Sequence, residues 1–130
     1  MKILLATRNQ HKTREFAYLL GPHFQVTDLT NERDLPEIVE TGSTFEENAA
    51  IKALTVSRVR PNEIVIADDS GLEVDALGGA PGICSARFAG ERATDRDNVK
   101  KLFHELERLH RPRRSACFRC IIAIARSGKI

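Results

Sequence analysis

The sequence has few cysteines, no long apolar run and neither common nucleotide-binding glycine signature, and each absence removes a class of protein. Its three cysteines, Cys84, Cys117 and Cys120, are too few and too irregularly spaced for a disulfide framework. The CFRC run at 117–120 lacks the second half of a zinc site, because there is no other CxxC and no HxxxH. On a strand, a separation of three sends Cys117 and Cys120 to opposite faces, so they cannot share one ion. Both are expected as small buried hydrophobes. The longest apolar runs, such as IIAIA at 121–125, fall far short of the about 20 residues of a membrane helix. The start, MKILLATRN, lacks the about 7–15 apolar residues of a secretory signal. A cytoplasmic protein that does not span a membrane is expected. The missing P-loop lysine motif and GxGxxG argue against the common NTPase and dinucleotide folds.

What is present suits one domain over residues 1–130, with 42% hydrophobic residues for a core and 29% charged residues for solubility. The net charge of +2 hides an asymmetry. Arg111, Arg113, Arg114, Arg119, Arg126 and Lys129 give the last twenty residues six basic groups and no acid. These charges are spread along an apolar strand with no aromatic interleaved beyond Phe118. That pattern indicates a solvated connector and a strand rather than a nucleic-acid surface.

Strand and helix signals alternate. KILLA at 2–6 reads as a buried strand, followed by a helix with Asn9 as N-cap and Gly21 as terminator. FQVTDL is a second strand, and Thr30–Gly42 a loop. The next helix carries Thr44 and Glu47 at capping-box spacing, places Phe45, Ala49, Ala53 and Val56 on one face, and ends before Pro61. EIVIADD is the third strand and LGGAPG a turn-forming loop. TDRDNVKKLFHELERLH starts with Thr94 and Asp97 as cap signals and aligns Val99, Leu102, Phe103, Leu106 and Leu109 on a stripe. ACFRCIIAIA is the last strand, apolar on both faces and so expected to be covered on both. The class is α/β.

Four polar clusters fall at strand ends or helix starts, where open α/β sheets place ligands. In TRNQHK, Thr7 and Asn9 offer donors at a helix N-terminus and Lys12 adds a charge one turn on. This suits a phosphate, although a plain N-cap with a solvated lysine is the alternative. In ETGSTFEENAAIK, Asn48 and Lys52 share a helix face and Glu40 lies in the preceding loop. A carboxylate for Mg²⁺ and a lysine for an anion, or ordinary surface residues, both fit. Asp68 and Asp69 close an apolar strand, where paired carboxylates suit a divalent cation and one of them can deprotonate water. In GGAPGICSARFAG, Arg87 either binds phosphate or closes an ion pair. Of the four histidines, only His11 lies near one of these sites.

Taken together, ATRNxxKxxEF at 6–16, ETGSTFEENAxIKA at 40–53, ADDSGLEVDALGGAPG at 67–82 and SARFAG at 85–90 resemble the successive signatures of the Ham1-like family of non-standard purine nucleoside triphosphate pyrophosphatases. The resemblance implies a mixed α/β fold with an elongated twisted sheet flanked by helices. It implies a homodimer that uses Mg²⁺ to hydrolyse ITP, dITP and XTP to the monophosphate and pyrophosphate. Carried over residue by residue, it has Thr7, Arg8, Asn9, Gln10, His11 and Lys12 cradle the triphosphate, Lys52 face the phosphates and Ser70 contact substrate. Glu40 and Asp69 hold the metal, with Asp68 as a second metal contact or an orienting group, and Asp69 accepts the proton of the attacking water. The family's FGYDP motif and its later Lys and SHR motifs do not occur, so the expectation is a C-terminally truncated domain. The alternative is a catalytically impaired remnant that binds nucleotide or a partner.

Overall fold

Among the described residues, four strands and three helices form where the apolar periodicity calls for them. In chain order they are β1 (Lys2–Leu5), α1 (Gln10–Leu20), β2 (Gln25–Thr27), α2 (Phe45–Val59), β3 (Ile64–Val74), α3 (Asp95–Glu107) and β4 (Ala116–Ala125), with 3-10 turns at Asp75–Leu77 and Gly82–Arg87. The computed structural model describes residues 1–110 and 113–130, so Arg111 and Pro112 of the expected connector lie outside the described residues. The sheet order is β2-β1-β3-β4. β1 pairs in parallel with both neighbours, with Ile3 opposite Val26 on one side and Ile64 on the other. The class is α/β, as expected. Among the described residues no helix is long and apolar enough to cross a membrane. The chain divides into two units, Met1–Asp68 with Ile121–Ile130, and Asp69–Cys120.

In the first unit the period-2 alternation of the strands builds two cores, one on each face of the sheet. Leu4, Ala6, Val65 and Ala67 pack with Ala49, Ala53 and Val56 of α2 and with Ala123 and Ala125 of β4. Ile3, Leu5 and Ile66 face the other way, against Phe16 and Leu20 of α1 and Phe24 and Val26. Each fully buried Leu or Val, such as Leu4, Val56 and Val65, contributes about 1.5–3 kcal/mol over its exposed state. The α2 face expected from spacing, Phe45, Ala49, Ala53 and Val56, is buried throughout. The helix stops at Val59, since a residue preceding a proline is disfavoured in helical conformation.

The cap of α2 differs from the expected box. Thr44 Oγ1 accepts the Glu47 N–H at 3.1 Å, but the Glu47 carboxylate reaches one residue further back. There it accepts the Ser43 N–H at 2.6 Å and the Ser43 hydroxyl at 2.9 Å. These bonds, the backbone one foremost, hold the Glu47 carboxyl below its ordinary range.

In the second unit β3 does not end at the paired aspartates, as the sequence had suggested, but continues to Val74. The physical reason is β4, its hydrogen-bonded neighbour in the sheet, and alongside it Ser85 Oγ accepts the Leu72 N–H at 2.9 Å and donates to the Gly82 carbonyl at 2.6 Å, pinning the glycine-rich loop to the strand. α3 begins with a full capping box between Thr94 and Asp97. Its Asn98 holds the preceding loop from both sides, accepting the Ala89 N–H and donating to the Ala86 carbonyl. Lys101 donates to the Phe88 carbonyl and sits 4.3 Å from the Phe88 ring.

Two expectations of burial are corrected, for β4 and for its cysteines, and the apolar stripe of α3 is mostly exposed. Of the α3 stripe only Leu106 is buried, while Val99, Phe103 and Leu109 are exposed. On β4, Phe118, Ile122 and Ile124 are exposed although Ala123 and Ala125 are buried, so only one of its faces is covered. Cys117 and Cys120 are exposed rather than buried and lie in no disulfide, with the Cys117 thiol donating to the Glu73 carboxylate at 3.8 Å. In each case apolar character recorded which side chains could be buried, not what lies against them.

Candidate functional site

The first cluster is built by the turn from β1 into α1. Thr7 Oγ1 accepts the Asn9 N–H at 3.1 Å, and Asn9 Oδ1 accepts the His11 N–H at 2.9 Å. Asn9 is therefore the N-cap expected from its position. Arg8, Gln10 and His11 are exposed, with the His11 ring Nδ1 2.9 Å from the Arg14 guanidinium. Lys12 leaves the first turn inward, and its Nζ lies 2.5 Å from Asp68 Oδ2 on β3. A solvated lysine is thus corrected to a partly buried ion pair, the Lys12 side chain being 33% exposed and that of Asp68 only 9%. An ammonium group from the first turn of α1 thus meets a nearly buried carboxylate.

The second cluster is tied to α2. Lys52 Nζ pairs with Glu40 Oε1 at 3.2 Å, and the Lys52 side chain is only 12% exposed. Asn48 is wholly buried and accepts the Gly42 N–H at 2.8 Å. Spacing had brought Asn48 and Lys52 to one face, and their burial removes the reading of ordinary surface residues.

Asp68 and Asp69 are both buried, at 8% and 7% exposure, and Ser70 is exposed. As successive residues of one strand, the two carboxylates project to opposite faces. Asp68 belongs to the first unit with its lysine, whereas Asp69 and Ser70 open the second. Arg87 ends a 3-10 turn, and among the described residues no carboxylate lies within ion-pair distance of it.

Within the first unit the structure therefore forms two lysine–carboxylate pairs, Lys12 with Asp68 and Lys52 with Glu40, each able to exchange its internal partner for an anion on the lysine and a cation on the carboxylate. Among the described residues no three His, Cys, Asp or Glu side chains gather as a metal-holding group. Mg²⁺ is commonly held by one or two carboxylates together with substrate phosphates. Glu40 and Asp68 each offer hard carboxylate oxygens of the kind such a cation takes, and each faces an ammonium group that an anionic ligand would draw away.

Sequence reasoning missed Asp28. Its carboxylate accepts the Thr13 hydroxyl at 2.6 Å and the Thr30 N–H at 2.9 Å, fastening α1 near Lys12. The Thr13 hydroxyl above all, with Thr30, holds the Asp28 carboxyl below its ordinary value of 3.8 against the opposing effect of burial. A depressed folded-state pKa stabilises at pH above the ordinary value, and that stability is lost as pH falls through the folded one. Wild type is expected to melt above Asp28→Asn at neutral pH, with the gap closing below pH 3.8. A gap that does not narrow as pH is lowered through and below 3.8 would remove this role.

A sequence model of the Ham1 family matches residues 3–130. The dITP/XTP pyrophosphatase of Bacillus licheniformis is 52% identical over 129 residues, covering 98% of this chain and 65% of that protein. The dITP/XTP pyrophosphatase of Streptococcus pyogenes is 51% identical over 129 residues, covering 98% of this chain and 39% of its own length. Among solved structures, a HAM1 protein from Coxiella burnetii superposes with a TM-score of 0.87 at 40% identity, covering 99% of this chain and 66% of that one. The chain spans between about two fifths and two thirds of the length of these relatives.

Proposed function

This chain belongs to the Ham1 family, and we propose that it acts as a Mg²⁺-dependent pyrophosphatase on dITP, ITP and XTP. The observation that carries the reading is the Lys12–Asp68 pair at 2.5 Å, which sets the start of α1 against a buried carboxylate. A triphosphate at the Thr7–Lys12 turn meets the positive end of α1 and draws Lys12 from Asp68. Lys52, released from Glu40, faces the same phosphates. Glu40 and Asp69 hold the metal, and Asp68 either joins them or orients Lys12. When bound, Mg²⁺ supplies charge neutralisation on the phosphates. Asp69 takes the proton of a water whose oxygen attacks the α-phosphorus. The bond to the bridging oxygen breaks, pyrophosphate leaves, and the nucleoside monophosphate remains with Ser70 beside it. A cytoplasmic homodimer completes the proposal.

The test is pyrophosphate release from dITP, XTP and dGTP with and without Mg²⁺. Release from dITP and XTP that exceeds release from dGTP about tenfold or more, and that EDTA abolishes, is the expected result. Equal hydrolysis of all three removes the substrate class.

One observation favours a second reading, a nucleotide- or partner-binding chain without turnover: Phe118, Ile122 and Ile124 are exposed along β4. Tight binding of dITP with no pyrophosphate release would select it.

A further inference from the structure

The loop that carries Glu40 is fastened to α2 by successive side chains. Glu40 meets Lys52 at 3.2 Å, the Gly42 N–H meets Asn48 Oδ1 at 2.8 Å, and Ser43 meets Glu47 through its N–H and its hydroxyl. Glu47 and Ser43 are exposed, whereas Asn48 is 0% exposed. A hydrogen bond in that environment is shielded from competing water and holds its geometry more firmly than one at the surface.

The chemistry of the site explains why an amide is buried here. A wholly buried position at the start of a helix is filled most cheaply by an apolar side chain. Asn48 instead brings in a polar group whose Nδ2 is buried without a hydrogen-bond partner. Its Oδ1 must face Gly42, because the backbone N–H there is a donor and the amide NH₂ offers only donors. Position 42 in turn admits no side chain. A Cβ there would lie 2.6 Å from Asn48 Oδ1, 2.7 Å from Glu47 Cβ and 2.9 Å from the Asn48 nitrogen. Gly42 and Asn48 are thus a matched pair, one bare so that the other can reach it, two residues along the chain from Glu40.

We propose that Asn48 is the positioning residue for Glu40, fixing the loop so that the carboxylate is presented both to Lys52 and to an incoming divalent cation. The proposal rests on the reading of Glu40 as a metal-holding carboxylate. Asn48 touches neither metal nor substrate and acts through the Gly42 backbone. Residues that orient a metal carboxylate affect metal affinity by about 10- to 100-fold when removed.

The experiment uses the full chain with Asn48→Ala, Gly42→Ala and Glu40→Gln. Amide hydrogen exchange at Gly42 is expected to speed about tenfold or more in Asn48→Ala, while Ala53 and Val56 in the same helix keep their protection. The Mg²⁺ concentration that half-saturates pyrophosphate release is expected to rise about tenfold or more in Asn48→Ala, and Asn48→Ala should add nothing on the Glu40→Gln background. Gly42→Ala approaches the same contact from the other side and is expected to reproduce the shift if Asn48→Ala loses its fold. A folded variant with wild-type Mg²⁺ dependence, or one whose effect adds fully to that of Glu40→Gln, overturns the proposal. Mn²⁺ alone gives a readout without turnover: it should broaden the Glu40 NMR signals of wild type at about tenfold lower concentration than those of Asn48→Ala. If wild type releases no pyrophosphate, the proposed activity fails and the Mn²⁺ titration still decides. Equal broadening in the two proteins, or none at Glu40 in wild type, rejects the role of Asn48.

Discussion

Asp69→Asn is expected to lower the turnover of dITP by about 100-fold or more, the range associated with loss of a general base. The substitution keeps the volume and one oxygen of the side chain, so the strand that buries it at 7% exposure has no packing reason to change. It removes the basicity. A water that attacks the α-phosphorus must give up a proton, and an amide cannot take it. Asp68 is a poor substitute, because it projects to the other face of β3 and is engaged by Lys12 at 2.5 Å. The loss should appear in kcat with KM moving only a few-fold, since phosphate recognition is assigned to the α1 turn and to Lys52. Lys12→Met provides the opposite pattern, a raised KM. Steady-state pyrophosphate release, read beside a melting curve that shows both variants folded, separates the two. Turnover by Asp69→Asn within about threefold of wild type would remove Asp69 from the role of base.

Gly71→Ala is expected to be the most damaging single-atom addition to stability. A Cβ on residue 71 would stand 2.2 Å from the Gly82 carbonyl oxygen and 2.6 Å from Ser85 Oγ. Neither can swing aside. The carbonyl is backbone, and Ser85 Oγ is held between Leu72 and Gly82 by bonds of 2.9 and 2.6 Å. Overpacking costs about 1–3 kcal/mol in well-packed sites and occasionally more, and a contact this short belongs at the upper end. At about 4–8 °C per kcal/mol for a small domain, the melting temperature should fall by about 10–20 °C. Gly78 is the control. Nothing lies within 4 Å of a Cβ there, so Gly78→Ala meets only the penalty of its φ of +64°, about 1–2 kcal/mol. Equal melting of the two variants would mean that the approach of the loop to β3 is not what residue 71 protects. Because Asp69 and Ser70 immediately precede Gly71, activity should fall with the melting temperature.

Much of this was legible beforehand, for identifiable reasons. Helix starts were marked by Asn9, Thr44 and Thr94, since capping depends on a side chain meeting its own backbone a few residues away. The α2 face was visible because its spacing is the geometry of one helix. What escaped was set by partners distant in the chain. The extension of β3 to Val74 depends on β4, far along the chain, and the pairing of Lys12 spans 56 residues to Asp68. The exposed apolar residues of α3 and β4 escaped for the same reason, since periodicity shows which side is apolar without showing what covers it. In the site, TRNQHK and DDSG announced themselves as unusual polarity beside apolar strands. Gly42 and Asp28 carried no comparable signal, and Asn48 stood out only as a face-mate of Lys52, because buried support for a functional group looks in sequence like any polar residue near a helix start.

The first unit closes only when Ala123 and Ala125 join Leu4, Val65 and Val56 in one core. Everything from Asp69 to Cys120 lies between those contributions and belongs to the other unit. Closing so long a loop carries its entropy before the contact rewards it, and topologies dominated by such pairings assemble slowly. On a ribosome the consequence is an order of events. Residues 1–68 emerge with one of their two apolar surfaces incomplete, and they wait through the synthesis of the whole second unit before β4 arrives to finish it.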